Sequence, residues 1–189
     1  MFRASSVPVP AMRGPLPNVK MTSLVSHQDE RGEFTELFRN EWVDTPPPVQ
    51  WNLVRSRPGV LRGVHVHVRH DDYLVVLRGS LILGTCDLRE SSPDFLRSQR
   101  VEISGTRLTL VTIPTGIAHG FYFPEPTDYV YAVTHYWNPQ GDALGCFWND
   151  PGLNVAWPTS DPELSERDRK AKSLSELLSE LSSRRDKTW

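Results

Sequence analysis

From about residue 21 to residue 137 the chain is written in short runs of β-branched and aromatic residues, cut every few positions by Gly, Pro, Asn or Asp. The runs fall at 49–54, 61–68, 73–77, 81–88, 106–113, 121–123 and 129–137. None carries a helical period, and all are strand length. Such segments can bury their apolar side chains only by pairing into sheets that face one another or close up. The predicted class is therefore all-β: a sandwich, a jelly roll or a barrel. The punctuation fits. Asp29-Glu30-Arg31-Gly32 reads as a hairpin turn, and Thr45-Pro46-Pro47-Pro48 is a loop, since proline has no N–H to give a central strand.

The two ends read differently. Pro8, Pro10, Pro15 and Pro17 make residues 1–20 an extended or mobile arm. Residues 21–189 are expected to form a single domain, because a chain of 189 residues supports one sizeable core. One helix is predicted, near 173–183. Ser173-Leu174-Ser175-Glu176 is a capping-box pattern, and Leu174, Leu177, Leu178 and Leu181 then form one apolar stripe. Arg184-Arg185-Asp186-Lys187 reads as a solvated tail.

Several function classes are disfavoured. A net charge of −2 without a basic cluster does not suit a nucleic-acid or acidic-membrane partner. No segment reaches the apolar length of a membrane span, and the first residues show no secretory apolar region, so the expected place is the cytoplasm. Cys86 and Cys146 sit in no CxxC spacing and are expected to be free buried thiols.

The chemistry concentrates in Gly59-Val60-Leu61-Arg62-Gly63-Val64-His65-Val66-His67 and in Pro114-Thr115-Gly116-Ile117-Ala118-His119-Gly120-Phe121. On a regular strand His65 and His67 point the same way, as if to line a polar pocket inside a barrel, while Arg62 falls on the other face. Two readings follow. One is a proton-transfer enzyme with His65 as base, since imidazole titrates near neutrality. The other is a metal cupin: Gly59-x5-His65-x-His67-x4-Asp72-x6-Gly79 and Pro114-x-Gly116-x2-His119 offer His65, His67, Asp72 and His119 to Fe, Mn, Ni or Zn, as in a dioxygenase or sugar isomerase.

Further motifs follow in order: Asp29-x-Arg31-Gly32-x-Phe34, Gln50-x-Asn52, Asp87-Leu88-Arg89, Ser92-Pro93-x-Phe95, Tyr131, Trp148-Asn149-Asp150-Pro151, Trp157-Pro158 and Leu164-Ser165-x-x-Asp168. Together with the two histidine segments, this series resembles the dTDP-4-dehydrorhamnose 3,5-epimerase family, from about residue 21 to about residue 178. The resemblance implies a cupin-type jelly roll, a homodimer and no metal or other cofactor. It also implies epimerisation of a nucleotide-linked 4-keto-6-deoxyhexose in deoxysugar biosynthesis. Carried over residue by residue, it makes His65 the base, Asp168 the carboxylate that holds it and Tyr131 the acid on the other face. Arg31, Arg62 and His119 would hold the nucleotide sugar, with Phe34, Gln50 and Asn52 shaping the site.

The chain departs from the family pattern in places. The family lysine is matched to Tyr73, which is expected to point into the barrel and donate its hydroxyl to the enolate oxygen. The aromatic and glutamine that follow the base are Val66 and His67, and a tyrosine-like position near the sugar is Trp137, so His67 and Trp137 join the expected substrate contacts. A sugar-nucleotide-binding cupin without catalysis is the third class left open by the missing lysine.

Overall fold

The computed structural model describes residues 18–138, 144–184 and 189. Its strands are β1 (Lys20–Ser23), β2 (Ser26–Asp29), β3 (Gly32–Thr35), β4 (Gln50–Ser56), β5 (Leu61–His65), β6 (Asp72–Arg78), β7 (Ser80–Asp87), β8 (Ser98–Ser104), β9 (Thr109–Ile113), β10 (Ile117–Tyr122) and β11 (Thr127–Val133). Two helices follow, α1 (Glu166–Arg169) and α2 (Leu174–Ser183). A five-stranded sheet runs β1-β9-β6-β11-β4, a four-stranded sheet runs β5-β10-β7-β8, and β2 and β3 form a separate hairpin. The paired strands are antiparallel, and the chain changes sheet at β4–β5, β5–β6, β6–β7, β8–β9, β9–β10 and β10–β11. This is a cupin-type jelly roll.

Strand alternation decides which residues meet. On β6, Leu74 and Val76 face the interior and pack with Leu81, Leu83, Val111 and Ile113 between the sheets. Their neighbours Tyr73 and Val75 face outward, where Leu24, Leu37, Phe38 and Trp42 cover them. The outer face of the four-stranded sheet, with Val64, Cys86 and Ala118, is covered by Trp148, Leu153 and the α2 leucines 174, 177 and 181. Each such leucine contributes roughly 1.5–3 kcal/mol by leaving water.

The capping box at α2 forms as expected. Ser173 Oγ accepts from Glu176 N, and the Glu176 carboxylate accepts from Ser173 N at 2.8 Å. The C-terminal segment is also stitched to the barrel rim: Leu61 N donates to Glu163 O at 2.9 Å, and Glu163 N to Gly59 O at 2.8 Å. That seam fixes where α1 sits.

The hairpin turn at Glu30-Arg31 is present, with Gly32 at φ +131°. Several boundaries differ from expectation. β5 stops at His65, so the run to 68 continues as irregular chain. β10 begins at Ile117 rather than 121, and β11 ends at Val133. The sheet already includes Lys20, and Val19 is buried, so these two belong to the fold and not to the arm expected over 1–20; residues 1–17 lie outside the described ones. Strand β8 was not expected. Its polar side chains suit a strand that pairs only with β7 at the sheet edge, where hydrophobic patterning is weak. No helix among the described residues is long and apolar enough to cross a membrane. Cys86 and Cys146 are buried free thiols.

Candidate active site

A cavity of about 500 Å³ lies between the two sheets and is lined from both. His65, the last residue of β5, pairs in register with His119 of β10, so two imidazoles face inward from adjacent strands. His65 Nε2 lies 2.7 Å from Asp168 Oδ1. Asp168 comes from α1 and is 5% exposed, too buried for a solvated surface charge. Its backbone N–H is capped by Ser165 Oγ at 3.1 Å, while its side chain is free to reach His65.

Burial pushes the His65 pKa below that of ordinary histidine, against the pull of Asp168. Burial works against ionisation of Asp168 too, but the His65 hydrogen bond, with Ser165 and the Gly63 N–H, outweighs it and keeps that carboxyl below its usual range. An ionised Asp168 accepts the Nε2 proton of a neutral His65, which leaves Nδ1 with the lone pair. That is the state a general base needs.

A regular strand would turn Arg62 to the other face, so a ligand role needs a bulge or a neighbouring subunit; Arg62 lines the cavity of its own chain. Gly63, at φ +123°, breaks the alternation, and the β5–β10 pairing slips between His119 and Phe121 at the same place. A Cβ at Gly63 would lie 2.8 Å from Gly120 Cα and 2.9 Å from His119 O, so only glycine fits. Arg62 Nε donates to Ser56 Oγ at 2.9 Å.

The opposite wall belongs to the five-stranded sheet. Tyr129 and Tyr131 of β11 line the cavity, their rings 6.3 Å apart. Burial raises the Tyr131 pKa, Asp72 adds to this, and Arg62 opposes it. Tyr131 is therefore a protonated donor near neutral pH. Asn52 pairs in register with Tyr131. Gln50 links Asn52 to Trp137: its Nε2 donates to Asn52 Oδ1 at 2.9 Å, and its Oε1 accepts from Trp137 N at 3.1 Å. Trp137 lines the cavity; Gln50 and Asn52 lie on the same β4 face as Val54, which also lines it.

A second polar group completes the cavity. His67 Nε2 and His119 Nε2 approach Asp72 Oδ2 at 3.4 and 3.1 Å, and His70 Nε2 lies 3.5 Å from Asp72 Oδ1. Burial opposes the Asp72 charge, but the three imidazoles around it bring its pKa down to about 2. His65 stands apart from this group, engaged with Asp168.

The family model described as dTDP-4-dehydrorhamnose 3,5-epimerase matches residues 13–176. The chain belongs to the dTDP-4-dehydrorhamnose 3,5-epimerase family. The Pseudomonas aeruginosa enzyme of that name is 34% identical over 175 residues, covering 88% of this chain and 96% of its own. The crystal structure of dTDP-6-deoxy-D-glucose-3,5-epimerase from Legionella pneumophila in complex with dTDP-4-keto-L-rhamnose superposes with a TM-score of 0.80. It has 32% identity and covers 88% of this chain and 95% of that one. ChmJ, a 3'-monoepimerase from Streptomyces bikiniensis solved with dTDP-quinovose, gives a TM-score of 0.77 at 28% identity, covering 93% of this chain and 90% of that one.

Among the expected site residues, Arg62, His65, His67, His119, Tyr131, Trp137 and Asp168 line this cavity. Tyr73 does not, and the expected role is corrected. Strand parity turns its side chain to the outer face, where its hydroxyl donates to Pro46 O at 3.0 Å and pairs with Thr45, and its ring meets Phe38 at 5.1 Å. The inward residue at this point of β6 is Asp72. Arg31 and Phe34 also lie away from the chain's own cavity, on the β2–β3 hairpin; Arg31 holds Asp29, and Phe34 is 58% exposed.

Tyr129 and His70 are among the cavity groups that the sequence motifs leave out. Tyr129 had the strand signal but no motif. His70 follows β5 on irregular chain, where no periodicity reports direction, and it stacks on His67 at 4.1 Å.

Proposed function

We propose that this chain epimerises a dTDP-linked 4-keto-6-deoxyhexose, an isomerase reaction at C3, C5 or both. His65 takes the proton from the carbon beside the ketone, the electron pair moves onto the ketone oxygen as an enolate, and Tyr131 returns a proton to the opposite face. Asp168 orients His65 and stabilises the imidazolium that forms. The observation that carries this reading is that His65, held by Asp168 of α1, and Tyr131 stand on facing sheets across one cavity. Inversion at carbon needs a base and an acid on two faces, and two sheets provide them. Arg62 and Trp137 are the proposed contacts of the nucleotide sugar, with Gln50 and Asn52 setting the position of Trp137 and of the β4 wall.

The enzyme is further proposed to act as a homodimer. Arg31 and Phe34, if they hold substrate as the family pattern implies, must serve the cavity of a second copy, because their own hairpin does not reach the one in the same chain. Sedimentation analysis tests this directly. The cytoplasm is the proposed place of work, where a charged nucleotide sugar is a soluble substrate.

The test of the reaction is wash-in of solvent deuterium into dTDP-4-keto-6-deoxyglucose, followed by mass spectrometry and NMR. His65→Ala should abolish wash-in with the fold intact by circular dichroism. Tyr131→Phe should keep wash-in and lose inverted product. Full exchange in His65→Ala would remove His65 from the role of base.

A further inference from the structure

His67, Asp72 and His119 are not used by the proton transfers above. Asp72 is 6% exposed and His119 4%. His119 Nδ1 lies 3.0 Å from the Ile117 carbonyl, so that nitrogen carries a proton. In a neutral ring Nε2 then presents a lone pair to the Asp72 carboxylate only 3.1 Å away, which is repulsive unless something positive lies between. The rest of the group is also incomplete, because Asp72 Oδ1, with His70 Nε2 at 3.5 Å, and His67 Nδ1 are buried without a hydrogen bond. A buried carboxylate left this way is costly.

The missing positive group is a proton or a metal ion, and the geometry favours the ion. One donor atom from each of the three residues lies within 4.8 Å of the others, and the two contacts to Asp72 Oδ2 are 3.4 and 3.1 Å. Ligands held about 2.1 Å from one ion are spaced by roughly 3.0–3.4 Å in octahedral or tetrahedral arrangement. Two imidazoles and one carboxylate make a recognised transition-metal set, and the His119 Nδ1–H on a backbone carbonyl is the usual way such a ligand is oriented.

We propose that His67, Asp72 and His119 bind one divalent transition-metal ion of the zinc, cobalt and nickel class, with its remaining positions open to the cavity. His65, paired with Asp168, is not a ligand. An oxygen of the bound sugar is the fitting further ligand; that role rests on the epimerase reading, whereas the metal binding does not.

The experiment uses the untagged full chain, stripped with chelator and dialysed. Cobalt(II) is added while its visible d–d absorption is followed, and zinc binding is measured by calorimetry. One equivalent per chain should bind, with the intensified absorption of ions held by protein ligands. Asp72→Ala and His119→Asn should each weaken binding by about tenfold or more. A His27→Asn, His135→Asn double variant, altered only at exposed rings, should bind like wild type. Circular dichroism checks that each variant folds; where one does not, the wild-type cobalt spectrum and stoichiometry decide. Absence of saturable cobalt or zinc binding by wild type would overturn the proposal and leave a proton as the cation. Binding unchanged in a folded Asp72→Ala variant would overturn it equally.

Discussion

Replacing Asp168 with Asn removes one charge and little else. The side chain keeps its shape, and the cap of α1 survives because Ser165 Oγ accepts from the backbone N–H of residue 168. What is lost is the charge-assisted contact at 2.7 Å to His65 Nε2. The loss is small while His65 is neutral and large once it has taken a proton. Opposite charges about 4 Å apart at an effective dielectric near 20 attract by roughly 4 kcal/mol. Solvent weakens this somewhat on the His65 side, whose side chain is 24% exposed against 6% for Asp168. A barrier increase of about 3–4 kcal/mol corresponds to roughly a hundredfold to a thousandfold fall in rate. Burial already lowers the His65 pKa, and without the carboxylate nothing comparable opposes it, so the change acts in the same direction. The assay is turnover of dTDP-4-keto-6-deoxyglucose together with deuterium wash-in, and both should fall in parallel while KM stays close to wild type. A folded Asp168→Asn enzyme within about threefold of wild type, some 0.7 kcal/mol, would refute the dyad.

Other expectations follow from the same geometry. Tyr73→Phe should leave turnover unchanged and lower stability by about 1 kcal/mol, read as a shifted denaturation midpoint, because the lost hydroxyl bonds Pro46 and Thr45 outside the barrel. Gly63→Ala should destabilise by about 1–3 kcal/mol or fail to fold, since the new Cβ meets the Gly120 backbone at 2.8 Å; thermal melting measures it. Both cysteines should resist a disulfide reagent at mildly alkaline pH in the folded protein and react on unfolding. Burial raises both thiols, that of Cys146 to about 12, so the reactive thiolate appears only once the chain opens.

Local chemistry was enough for much of this protein. The all-β class followed from short punctuated runs, the hairpin from Asp29-Glu30-Arg31-Gly32, and α2 from its capping box and leucine stripe, because each depends on neighbours in the chain. The pairing of motifs around His65 and Asp168 was legible as a pattern, but the contact joins residues 103 positions apart, and only the seam between Leu61 and Glu163 brings α1 to the cavity. Parity went wrong where the strand was irregular or its phase unknown. Gly63 turned Arg62 inward, against a regular alternation, and a one-residue difference in phase on β6 put Asp72 in the cavity and Tyr73 outside it. In a strand the side-chain period is two, so a slip of one residue exchanges interior for exterior. Composition cannot settle that phase, because Asp72 and Tyr73 both suit a polar pocket. It was decided by the pairing of β6 with β9 and β11 in the folded sheet.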